Sequence, residues 1–232
     1  MNAKSLVKKL SLSKEALDRV SQSVKAAEEK TSGEIVVALA AESNDYSFWE
    51  LFAAVIVSLA AVLCALPFAG KIRAFYENVN WSAAEWALPA IYLFAAFFLI
   101  LLLFFLFNWI LALDRIVIPK IIKAKAAADR AARVFLECGV ADTRERTGIL
   151  IFVSYLEKQV IVLADKGIAK KIGQDLWNLI VSELSEEIGK KNAESALCGA
   201  VKKCGELLAQ YFPADKSDNP NELSDGVVIL ER

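Results

Sequence analysis

Two apolar stretches, residues 48–69 and 87–113, decide most of what this 232-residue chain can fold into. The first carries one charge, Glu50, near its outer end, and the second carries none. A helix needs roughly 20 mainly apolar residues to cross hydrocarbon, and both stretches exceed that. Buried helices of soluble proteins are rarely this long and this apolar. The expectation is a transmembrane hairpin over residues 48–113, with spans at about 48–69 and 87–113. Trp49, Trp86 and Trp109 stand near span ends and Trp81 in the connecting loop, as interfacial aromatic belts require. No ionisable group lies mid-span, so the hairpin reads as an anchor rather than a transport pathway. Ala61, Ala65 and Ala69, four apart, form a small-residue seam that lets helices approach closely, within the hairpin or in a homo-oligomer.

Lys and Arg set the expected orientation. The connecting loop has Lys71 and Arg73, whereas Arg115, Lys120, Lys123, Lys125, Arg130 and Arg133 follow the second span, with Lys30 before the first. The positive-inside rule then puts both termini in the cytoplasm, with two spans in the cell (inner) membrane. The charged, helix-patterned N-terminal region lacks the short apolar core of a cleavable signal.

Outside the spans the pattern is that of a soluble α/β protein. Ser13 suits an N-cap, Leu12 and Leu17 a hydrophobic staple, and Leu17, Val20, Val24 and Ala27 recur at helical spacing. Gly33 stands where a C-terminal left-handed residue would follow that helix. "EIVVALA" (34–40) reads as a strand. After Pro119 an Ala-rich helix runs to about Cys138 and stops at Gly139. "GILIFVS" (148–154) and "QVIVLA" (159–164) are unbroken apolar runs, so both faces should be buried, and the short linker forces antiparallel pairing. Ile168 to Ile188 reads as one long amphipathic helix, and a second begins with Asn192 as N-cap. Residues 1–47 and 114–213 would form the soluble part, and 214–232 a polar tail, with Glu222 and Asp225 folding back onto the domain as the alternative.

Composition excludes several kinds of chemistry. The chain has no histidine, which removes Ser-His-Asp triads and imidazole metal ligands. Cys64, Cys138, Cys198 and Cys204 form no CxxC pair and read as free thiols. Net charge is −1 without a clustered basic face, so nucleic acid is not an expected partner. No GxGxxG or Walker loop supports nucleotide binding.

"KTSGEIVV" (30–37), "RTGILIFVS" (146–154), "LADKGI" (163–168), Trp177, "YFP" (211–213) and "NELSD" (221–225) together resemble the TPM domain. That family is named for a thylakoid lumen protein, a photosystem II repair factor and a nematode receptor modulator. The resemblance covers about residues 12–45 and 124–228. It implies a small α/β (α+β) domain, a central sheet flanked by helices, here split by the two-helix hairpin. It also implies that the 34–40 strand joins the sheet of the later two. Phosphatase activity is attributed to a plant branch of the family, while other members are tied to maintenance or modulation of membrane complexes.

One candidate site follows from strand register. Pairing Ser154 with Gln159 brings Gly148 opposite Asp165, beside Asp142, Glu145, Arg146 and Thr147. Asp165, Asp142, Glu145 and Thr147 could offer oxygen ligands to Ca²⁺ or Mg²⁺, and such an ion could orient a phosphate and activate water. Against this, Asp165 is equally placed to N-cap the helix beginning at Lys166. The functional expectation is a membrane-anchored, non-catalytic accessory module, with neighbouring membrane proteins as partners and no firmly implied cofactor. The alternative is a metal-dependent phosphohydrolase.

Overall fold

The computed structural model describes residues 3–79, 86–214 and 221–230. In chain order the helices and strands are α1 (Ala3–Lys9), α2 (Lys14–Glu28), β1 (Glu34–Ala40), α3 (Ser47–Ala65), α4 (Ala69–Val79), α5 (Ala87–Trp109) and α6 (Leu111–Val117). They continue with α7 (Lys120–Glu137), β2 (Gly148–Ser154), β3 (Gln159–Ala164), α8 (Lys166–Ala169), α9 (Gln174–Gly189), α10 (Ala193–Tyr211) and β4 (Val228–Leu230). The chain divides into two compact units, residues 1–44 with 120–232, and residues 45–119.

The first unit is an α/β domain around one sheet with strand order β3-β2-β1-β4. β1 and β2 are parallel and in register from Glu34↔Gly148 to Ala40↔Ser154. Parallel neighbours require a crossover, and here the crossover contains the entire apolar hairpin and α7. β3 returns antiparallel to β2, with Ser154↔Gln159 and Ile149↔Ala164, the register expected from the short turn.

Side-chain alternation explains why β1 and β2 are apolar at nearly every position. Ile35, Val37 and Leu39, with Ile149, Ile151 and Val153, face a core shared with α2, α9 and α10. Val36, Ala38, Leu150 and Phe152 face the other side, against Ala131 and Val134 of α7. Both strands are therefore buried along their whole length, as their sequence requires. β3 departs from that expectation: it is an edge strand and half-buried throughout.

The Ser13 hydroxyl accepts from the Ala16 N–H at 3.1 Å and starts α2, as expected of an N-cap. Three other expectations need correcting. Gly33 is not a left-handed cap; the glycine with positive φ is Gly139, at +71°. What Gly33 supplies is space, since a Cβ there would lie 2.8 Å from Leu208 and 3.0 Å from the Thr147 carbonyl. The helix expected from Ile168 to Ile188 is broken between α8 and α9, with Gly173 extended at the N-cap of α9. Glycine inside a helix costs about 1 kcal/mol relative to alanine, which favours a break there. Finally, residues 214–232 are not simply a polar tail: β4 pairs in parallel with Ala38–Ala40 of β1.

The second unit is a helical hairpin with two stretches long and apolar enough to cross a membrane, Ser47–Asn78 and Ala87–Phe107. Only 11% and 6% of their most apolar windows are buried. Phe52, Ile56, Leu59, Phe94, Phe98 and Leu102 are all exposed. Helix boundaries differ from the expected spans: α3 gives way to a 3₁₀ turn at Leu66–Phe68 containing Pro67, and α5 ends before an extended Ile110. α3 and α5 pack where Ala54 and Ser58 are buried, and the Ser58 hydroxyl donates to the Ala96 carbonyl at 3.0 Å. The Tyr92 hydroxyl donates to the Ala65 carbonyl, also at 3.0 Å. The close approach thus falls about one turn before the expected seam, and Ala61 is exposed. Trp81 lies outside the described residues.

Candidate functional site

The sheet end where β1 and β2 begin gathers nearly every polar group of interest. Leaving β3, the Asp165 N–H donates to the Gly148 carbonyl at 2.9 Å, so Asp165 stands beside the start of β2 as its register predicts. The Gly167 N–H donates to the Arg146 carbonyl at 3.2 Å. A Cβ on Gly167 would come within 2.5 Å of that carbonyl oxygen, so the α8 corner closes only over glycine.

The four expected ligands share this neighbourhood but not a coordination sphere. Thr147 is buried and its hydroxyl donates to the Ser32 carbonyl at 2.9 Å. Glu145 is exposed and accepts from the Ser32 hydroxyl at 2.8 Å. Asp142 is exposed in a 3₁₀ turn. Among the described residues, no three His, Cys, Asp or Glu side chains are placed to hold one metal ion. The carboxylates of Asp165, Asp142 and Glu145 therefore do not converge as one ligand cluster, and Thr147 spends its hydroxyl on the Ser32 carbonyl.

Asp165 does act as a cap. It is 5% exposed, and its Oδ1 accepts from the Lys166 N–H at 2.6 Å. Its Oδ2 is buried with no hydrogen-bond partner among the described residues. Leaving a buried acceptor unsatisfied costs about 1–3 kcal/mol, so this oxygen is a liability that the cap does not cancel.

A second acidic group at the same sheet end escaped the sequence reading. Glu28 and Glu34 are 8% and 6% exposed. One Glu28 oxygen accepts from the Ile35 N–H at 2.8 Å. The two Glu34 oxygens accept from the N–H groups of Glu222 and Leu223, each at 3.3 Å. Glu222 in turn accepts from the Arg144 N–H at 2.9 Å. Burial, followed by the nearby charges of Glu34 and Asp225, pushes the Glu28 carboxyl up to about 8, against the Ile35 amide that opposes the shift. Glu34 is also raised, first by burial and then by Glu222 and Asp225, while the two amides oppose it. Both carboxyls lean toward the neutral form, which suits a site covered by the acidic 221–226 segment. The available signal was Glu34 itself, a carboxylate heading a strand otherwise free of polar residues.

Elsewhere, Ser43, Ser154 and Glu157 form a buried polar chain where β1 and β2 end. The Ser43 N–H donates to Glu157 at 2.8 Å, the two serine hydroxyls are 2.7 Å apart, and Ser154 donates to the other Glu157 oxygen. All three residues are at most 4% exposed, so the chain ties strand ends together rather than meeting a substrate. An open groove of about 630 Å³ runs between α2 and α10, lined by Ser23, Lys30, Cys198, Lys202 and Glu206 among others, and includes none of the carboxylates above. All four cysteines are free thiols, as their spacing implied.

Comparison with known proteins agrees with this architecture. Residues 114–207 match the family model of the TPM domain. No curated protein matches the chain significantly. Among solved structures, the BA42 protein of the psychrophilic bacterium Bizionia argentinensis is similar in fold, with a TM-score of 0.54 over 94% of this chain and 95% of that one. At 20% identity, that similarity speaks to the fold alone.

Proposed function

This chain carries a TPM domain, and from that premise we propose that it is a membrane-anchored accessory protein whose α/β head engages neighbouring membrane proteins at the cytoplasmic face. The observation that carries the reading is the place of the hairpin in the fold. It is inserted between β1 and β2, which are adjacent in the sheet, so the head cannot form without bringing both ends of the hairpin back to one domain. Two spans satisfy that topology, since an even number returns the chain to the side it left. The exposed apolar side chains of α3 and α5 have hydrocarbon as their natural solvent, at roughly 25 cal/mol for each Å² kept from water. The Lys and Arg bias beyond the second span favours a cytoplasmic head.

An interaction role is favoured over catalysis by the polar groups themselves. Thr147, Ser43 and Ser154 use their hydroxyls in buried hydrogen bonds, and no histidine is present to activate a nucleophile. The competing reading, a metal-dependent phosphohydrolase, has the unpartnered Asp165 oxygen in its favour and the dispersed carboxylates against it.

The test is purification of the full-length protein in mild detergent, with mass spectrometry of what accompanies it and a phosphatase assay with Ca²⁺ and Mg²⁺. The accessory reading predicts a reproducible set of membrane proteins and no turnover above a mock preparation. Metal-dependent turnover lost in Asp165→Asn, with no partner recovered, would promote the hydrolase.

A further inference from the structure

The described part of the connection between the two apolar helices is helical. α3 has 19 residues, and at 1.5 Å per residue that is roughly 28 Å, close to the thickness of a hydrocarbon core. The Pro67 turn follows, and then α4 brings exposed Lys71, Arg73 and Glu77. Charges of this kind are expelled from hydrocarbon, so the Pro67 turn marks where the chain leaves it.

α4 is patterned for a boundary. Ile72, Phe75 and Tyr76 fall at i, i+3 and i+4 on one side of the helix, while Lys71, Arg73 and Glu77 fall off that stripe. Phe75 is 72% exposed, and exposed aromatics flank the helix at Phe68 before it and Trp86 after it. The polar side is internally organised, with Arg73 Nε 2.7 Å from Glu77 Oε1. Lys71 Nζ lies 5.9 Å from the Phe68 ring centroid. An 11-residue helix is marginal in water on its own, so an amphipathic one gains its stability from the surface it lies on. Leu63 and Leu66, which lead up to it along the chain, are exposed.

We propose that α4 is an interfacial helix, lying on the bilayer surface remote from the head, with Phe75 set at the acyl boundary and Lys71 and Arg73 on lipid phosphates. This rests on the anchor reading above. The occupant of the Phe75 face is the same lipid that would cover α3, because α4 follows α3 directly after the Pro67 turn and Lys71 and Arg73 complement phosphate. The helix thereby fixes how deep the first span sits.

The test uses full-length protein in vesicles of phosphatidylcholine and phosphatidylglycerol. Cys64, Cys138 and Cys198 are replaced by alanine, leaving the buried Cys204 in place, and one cysteine is introduced as Phe75→Cys, Glu77→Cys or Phe98→Cys. Each carries an environment-sensitive fluorophore, quenched either by aqueous iodide or by lipids with a shallow or deep nitroxide. The probe at position 75 should be quenched several-fold more by shallow nitroxide than by iodide. The probe at 77 should show the reverse, and the one at 98 should respond best to deep nitroxide. Equal iodide quenching at 75 and 77 would make α4 a solvated loop and overturn the proposal. Protection of 75 from iodide and from both lipids would mean that protein covers it, which also overturns it. Absence of any lipid quenching at 98 would bring down the anchor itself, a failure distinct from that of α4 alone.

Discussion

Glu34 and Gly148 stand side by side as the first paired residues of two adjacent parallel strands, although the whole apolar hairpin lies between them in sequence. That pairing makes the head one domain made from two chain segments. Joining residues 1–44 directly to 120–232 through a short Gly/Ser linker should therefore yield a soluble, cooperatively unfolding protein. Residues 120–232 alone should aggregate, because β2 would expose the edge that β1 covers. Size-exclusion chromatography and urea unfolding of both proteins check this. A monomeric, cooperative 120–232 fragment would remove β1 from the essential fold.

Asp165 separates capping from charge. Asn also caps well, so Asp165→Asn should change stability by less than about 1 kcal/mol, whereas Asp165→Ala should cost about 0.5–2 kcal/mol. Urea midpoints of the fused head give the comparison. Loss from Asn as large as from Ala would mean that the carboxylate charge, not its acceptor, holds the corner.

Buried Glu28 makes head stability depend on pH. Its native carboxyl titrates near 8, well above the ordinary carboxylate value. Below the ordinary value both states are protonated and Glu28 contributes nothing. As pH rises from there through about 8, the unfolded chain ionises first and the native state is progressively disfavoured. The fused head should therefore melt several degrees lower at pH 8.5 than at pH 6, and Glu28→Gln should flatten that slope. An unchanged slope in the Gln variant would assign it to other groups.

α10 approaches α2 closely because Gly205 has no side chain: a Cβ there would lie 2.6 Å from the Ala27 Cβ. Gly205→Ala must push the helices apart at a packed contact, which typically costs about 1–3 kcal/mol despite alanine's better helix propensity. Thermal unfolding of the fused head measures it. A neutral or stabilising Ala would show that α2 and α10 yield without loss.

Those interactions also show where sequence reasoning reached and where it stopped. The hairpin, β1, β2 and β3 were legible because each is dictated by a local run of apolar residues, and the β2–β3 register by turn length. Burial of β2 on both faces followed from its unbroken apolar run. β4 was not legible: three apolar residues behind a polar stretch acquire strand geometry only by pairing with Ala38–Ala40. The acidic corner was hidden for the same reason, since Glu28, Glu34 and Glu222 meet through tertiary folding rather than spacing. At the expected ligand cluster, register placed the backbone correctly, but side-chain hydrogen bonds drew Glu145 and Thr147 toward residue 32.

We propose, as the central claim, a cytoplasmic TPM head held by a hairpin whose connection lies on the opposite side of the membrane. Its most direct measurement is thiol labelling in intact cells, with single cysteines placed as Glu77→Cys or as Lys25→Cys on the exposed face of α2, in the background that retains only Cys204. A membrane-impermeant maleimide should label position 77 at once and position 25 only after permeabilisation. Labelling of position 25 in unpermeabilised cells, with 77 protected, would contradict the orientation, and labelling of neither before permeabilisation but both after it would contradict the hairpin as a membrane anchor.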